Sequence, residues 1–151
     1  MTQRNQKGFT LIELLIVVAI IGIIAAIAIP NLLNAIDRGK QKRTMADLRS
    51  VGTAIESYSI DNNVYPIASV MTGGSGLEAF IEPVYIRTAP ATDGWTRGFS
   101  VASVIGEYTV CSGGKDGGTC ITEGAGATTS FNAAITFANG QFVQWPEGTQ
   151  Q

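Results

Sequence analysis

The sequence predicts an α+β protein, in which a long N-terminal α-helix, membrane-spanning in its first half and amphipathic in its second, packs on a small antiparallel β-sheet head. Three observations carry this reading. Phe9 to Ile29 is a 21-residue apolar run interrupted only by Thr10, Glu13 and Gly22. Further on, Leu48, Val51, Ile55 and Tyr58 fall on one stripe of a helix. Near the C-terminus two runs rich in β-branched and aromatic residues flank Asn139-Gly140, a strong short-range hairpin signal because both turn positions need positive φ.

Composition removes several function classes. At 151 residues, with 45% hydrophobic and 15% charged residues, the chain has the size and makeup of one ordinary globular domain. It contains no histidine, which excludes a histidine general base, a histidine metal site and a histidine-based triad. Two cysteines are too few for a four-thiolate zinc site. Residues 1–50 hold seven Lys/Arg against three acids and residues 51–151 three against nine, so the chain is basic in front and acidic behind. That split argues against nucleic acid as a partner, since a binding module concentrates positive charge on its folded surface.

As a helix the first apolar run is about 31 Å long, enough to cross a bilayer core. Arg4 and Lys7 precede it without an acid, so its start is expected in the cytoplasm and the rest of the chain outside. A cleavable secretory signal ending at Ala26-Ile27-Ala28 is the alternative. Against it stand the length of the run and Glu13, because an acid in a spanning helix costs roughly 2.5–3.5 kcal/mol and needs a partner. No Lys or Arg lies between residues 8 and 37. The partner is therefore expected from another chain, or from an amine made by cutting this one.

Lys7-Gly8-Phe9-Thr10-Leu11-Ile12-Glu13 followed by an apolar helix resembles the processing signature of type IV prepilins and pseudopilins. The resemblance implies cleavage after Gly8 by a membrane-embedded prepilin peptidase and N-methylation of Phe9. The new Phe9 amine of one subunit would then pair with Glu13 of its neighbour inside the membrane. Glycine suits such a junction because a side chain there would obstruct the peptidase.

Pro30 cannot donate a backbone hydrogen bond and is expected to kink or locally melt the helix, letting packed subunits slide during assembly. The pattern resumes beyond it, and the whole helix is placed at 10–59. Arg38, Lys40, Lys42, Arg43, Asp47 and Arg49 decorate its second half, and the basic cluster Arg38 to Arg43 reads as a solvated face or as a contact for anionic headgroups and acidic head surfaces. Asp61-Asn62-Asn63 with Tyr65-Pro66 ends the helix. Residues 60–97 then read as one irregular connector with a helical turn at 77–81. Strands are expected at 99–104, 107–111, 131–138 and 141–145.

Within the head, Ser59 to Pro66, Gly76-Leu77-Glu78-Ala79 and Tyr108 to Gly117 resemble, in order, the major pseudopilin of type II secretion. That resemblance implies a type IV pilin-like fold divided into a leader (1–8), a transmembrane and assembly helix (9–30), an amphipathic helix (31–59) and an α+β head (60–151). It implies a homo-oligomeric helical filament built on a secretion or pilus assembly platform. The subunit would be a single-pass inner-membrane protein with its head in the periplasm. A type IV pilin of a surface filament, and a membrane-tethered binding or enzymatic head that never polymerises, are the alternatives.

Cys111 and Cys120 bracket a Gly-rich loop, and in an oxidising compartment a disulfide is favoured over two free buried thiols. Ser112 to Gly117 also resembles the calcium loop of major pseudopilins. Calcium takes six to eight oxygens, usually with several carboxylates. Asp116 matches the first acid of that family, but Asn132-Ala133-Ala134-Ile135 stands where the family has Asn-Ala-Asp-Ile. Glu123 is the candidate replacement, Lys115 works against a cation, and the expectation is an Asp-Gly turn without a cofactor. The remaining acids form no pair at a telling spacing and no phosphate loop is present, so no enzyme is expected. Trp95 and Trp145 are read as core residues before adhesive contacts.

Overall fold

A computed structural model describes residues 8–73, 76–120, 125–148 and 150. Arg4, Lys7 and Glu123, singled out in the sequence, lie outside the described residues. The chain forms two compact units, Met1–Ala35 and Ile36–Gln151.

Helix α1, Leu11–Asn62, contributes to both units. In the first unit its apolar side chains are exposed on every face, from Leu11 and Ile12 through Leu33. An all-apolar surface has no preferred inside, so this stretch needs lipid or other protein around it. It is long and apolar enough to cross a membrane. The local melting expected at Pro30 is not adopted: α1 is helical through it. Pro30 removes one i→i−4 bond, a local loss that the helix formers on either side tolerate. One residue on, the Asn31 side-chain amide donates to the Ile27 carbonyl at 3.2 Å.

In the second unit α1 buries one face. Leu48, Val51, Ala54 and Ile55 are closed off from solvent against Val101, Tyr108, Val110, Ile135 and Phe137. Each large aliphatic side chain so buried contributes about 1.5–3 kcal/mol. Tyr58, the last residue of the expected stripe, is half-buried and meets Phe80 and Tyr85 edge-on.

The sheet has six strands: β1 (Ala68–Val70), β2 (Ser100–Val104), β3 (Glu107–Ser112), β4 (Gly126–Thr128), β5 (Ile135–Ala138) and β6 (Gln141–Pro146), in the order β1-β2-β3-β5-β6-β4. Pairing is antiparallel except between β4 and β6. Asn139 and Gly140 take φ of 46° and 84°, making the β5–β6 turn. The expected irregular connector contains β1 and a short helix α2, Glu78–Ile81. The strand expected at 131–138 begins only at Ile135, and β1 and β4 extend the four expected strands to six.

Candidate processing and assembly site

The segment that would be processed lies open. Gly8, Phe9 and Thr10 are exposed and precede the first turn of α1, and Phe9 keeps 86% of its surface accessible. Among the described residues, no atom beyond its chain neighbours comes within 4 Å of the place a Gly8 side chain would fill. A peptidase therefore meets no steric bar from the described chain at this junction.

Glu13 has a local partner that the charge argument missed. Its Oε2 accepts the Thr10 backbone N–H and the Thr10 hydroxyl, each at 2.8 Å. In return the Glu13 N–H donates to Thr10 Oγ1 at 3.2 Å, and Leu14 N–H reaches the Thr10 carbonyl at 3.3 Å. This is a capping box, in which a threonine and the residue three positions on satisfy each other's end groups. The Thr-x-x-Glu spacing was readable in the sequence. Two hydrogen bonds thus reach Glu13 from Thr10 within the chain, beside the charged partner expected from another chain or a cut amine. They bring no countercharge, so a cation remains the stronger complement to Glu13 in lipid.

A second cluster lies in the head, where three loops and strands converge on the start of the buried helix face. Asp37, Gln41 and Thr44 continue that face with polar side chains, all buried. Asp37 accepts Lys115 Nζ at 2.8 Å on Oδ2 and the Trp95 indole N–H at 3.2 Å on Oδ1. Burial pushes the Asp37 carboxyl up, but the bonds from Lys115 and Trp95, with the charges of Lys115 and Lys40, outweigh it and hold the group below its ordinary value. Thr44 Oγ1 accepts the Gly94 N–H at 2.9 Å while its own hydroxyl donates to the Lys40 carbonyl. Gly94 is required there because a Cβ would stand 2.4 Å from the Lys40 oxygen.

Asp93, 1% exposed, anchors the same cluster. Its Oδ1 accepts the backbone N–H groups of Trp95 and Arg97, and its Oδ2 accepts the Ser112 hydroxyl at 2.6 Å. Trp95 and Trp145 are each half-buried. Among the basic helix residues, Arg43 pairs with Asp47 at 3.5 Å and Arg49 lies 5.4 Å from the Phe142 ring centre.

Cys111 and Cys120 are joined by a disulfide with Cα atoms 6.1 Å apart. Closing so short a loop contributes roughly 2–3 kcal/mol on the chain-entropy account. Inside it, Asp116 is exposed and its Oδ1 accepts the Gly118 N–H at 3.1 Å. Among the described residues no three acids, cysteines or histidines gather as metal ligands. Among the described residues the loop offers one carboxylate, Asp116, with the Lys115 ammonium beside it, short of the several carboxylates that calcium usually takes.

Two family models match the chain: the prokaryotic N-terminal methylation motif over residues 3–29, and type II secretion system protein G over residues 31–130. The type II secretion system core protein G of Vibrio cholerae is 33% identical over 141 residues, covering 82% of this chain and 90% of that protein. The protein of the same name from Klebsiella michiganensis is 32% identical over 121 residues, with 78% and 81% covered. Its counterpart from Escherichia coli K12 is 31% identical over 128 residues, with 75% and 84% covered.

Proposed function

The chain belongs to the type II secretion system protein G family, and from that premise we propose that it is made as a membrane-anchored precursor, trimmed after Gly8 and polymerised through α1. It is a pseudopilus subunit for protein secretion. Its homologues are structural subunits, and we read this chain likewise as a structural part with no catalytic role. The protein G match favours this reading over the surface pilus.

One observation carries the mechanism: an apolar helical segment exposed all round, opened by a single capped acid. Before assembly lipid covers that surface. In a filament, the equivalent surfaces of neighbouring copies cover it, through a heterologous contact that does not close on itself. Prepilin peptidase would free the Phe9 amine, and the secretion platform would lift the subunit from the inner membrane. Pairing that amine with a neighbour's Glu13 recovers part of the desolvation cost of both charges. The heads then lie on the outside of the fibre, in the periplasm.

Site-directed variants test each step. Gly8→Ala should leave an uncut precursor in the membrane, read by mass spectrometry of the N-terminus. Glu13→Ala should be trimmed normally to a methylated Phe9 and yet yield no cross-linked ladder of subunits. Ladders of ordinary length from Glu13→Ala would overturn the pairing, and a mature chain starting at Ile29 would overturn the processing.

A further inference from the structure

The loop closed by Cys111 and Cys120 is tied to the helix by a charge the chain carries itself. Asp37, on the buried face of α1, keeps 6% of its surface exposed, and a carboxylate so enclosed requires a cation or several donors. Lys115 supplies the cation at 2.8 Å. The same residue's backbone N–H donates to the Phe131 carbonyl at 2.9 Å, and its ammonium stands 6.0 Å from the Phe131 ring centre. Lys115 therefore joins the helix, the disulfide loop and the segment before β5.

The loop is folded as a cradle around that residue. Gly118 N–H closes onto the Gly113 carbonyl at 3.0 Å, and Gly114 N–H donates to Ser112 Oγ at 3.2 Å. The Asn132 and Ala133 carbonyls press against Gly114, 2.7 Å from where a Cβ would stand. Among the described residues, the carboxylates of this cluster already have partners: Asp116 holds Gly118, Asp93 holds Ser112, Trp95 and Arg97, and Asp37 holds Lys115 and Trp95. A divalent ion brought here would have to displace those bonds and face the ammonium, an unfavourable like-charge contact.

We propose that the Lys115 ammonium takes the part of a bound cation in this head, tying the loop to α1 through Asp37 and making the stability of the head independent of calcium. A covalently attached charge of this kind cannot be chelated and cannot diffuse away.

Thermal unfolding of the full chain in detergent micelles tests this, followed by tryptophan fluorescence because the Trp95 indole contacts Asp37. The unaltered chain should melt at the same midpoint, within about 1 °C, in millimolar calcium chloride and in excess EGTA. Lys115→Met, which keeps the methylene stem, should lower the midpoint by about 5 °C in both solutions, and Lys115→Arg should recover most of the loss. A Lys115→Met chain too unstable to isolate, beside a folded Lys115→Arg, counts as that loss. Calcium raising the midpoint of the unaltered chain by several degrees overturns the proposal, as does Lys115→Met melting with it. Neither measurement needs a filament, so failure here leaves the assembly reading untouched.

Discussion

Residues 11–35 and 36–62 belong to one helix and obey different solvents. The first stretch carries apolar side chains on every face and buries none of the window that would cross a membrane. The second hides a stripe of Leu48, Val51, Ala54 and Ile55 under a sheet, buries Asp37 against Lys115 and leaves Lys42, Arg43 and Arg49 exposed to water. Helical hydrogen bonding is common to both. What differs is where the apolar surface finds cover: within the chain for the second stretch, outside it for the first. A domain that completes itself folds alone, whereas a segment that cannot is fitted to a bilayer or to copies of itself.

Substitutions aimed at one stretch should spare the other. The largest effect is expected from Ile20→Asp, which adds about 3–4 kcal/mol to the cost of spanning the bilayer. It should empty the membrane fraction while leaving the unfolding midpoint of the head unchanged. Leu48→Ala should do the reverse, removing about 3 kcal/mol from head stability in urea titrations while insertion proceeds normally. Gly52→Ala sharpens the contrast, since its Cβ would stand 2.1 Å from the Phe137 ring, itself buried and edge-on to Phe142. We expect a loss of about 2 kcal/mol there, and Gly22→Ala, with open space around it, should cost nothing by packing.

The smallest expected effect is that of pH on Asp37. Its carboxyl is held low in the folded head, so its contribution is complete above the ordinary carboxylate range and fades as pH falls through the depressed folded value. Asp37→Asn should flatten that part of the acid limb of a plot of urea midpoint against pH. An unchanged limb would mean that the Lys115 pair adds nothing to folding.

Legibility in the sequence followed the range of the interaction. The helix, its apolar stripe and the β5–β6 hairpin rest on neighbours within a few positions, and the sequence pattern indicated them. β1 and β4 are three residues long, too short to show an alternation, and β4 reads Gly-Ala-Thr with no strand character. Its parallel pairing with β6 is set by a partner some eighteen residues away. The polar end of the buried stripe, Asp37, Gln41 and Thr44, keeps helical spacing but reads as surface until the loops bearing Trp95 and Lys115 arrive. Asp93 looked like one scattered acid because its hydroxyl partner, Ser112, is nineteen positions on. The cap at Thr10 and Glu13 is local and legible as Thr-x-x-Glu, but its partner is a hydroxyl and not a countercharge.

That cap has a consequence for maturation. Both of its members lie downstream of Gly8, so the Thr10–Glu13 bonds would survive the proposed removal of the first eight residues. A subunit trimmed there, as proposed, would enter a fibre with the cap of its first turn already made.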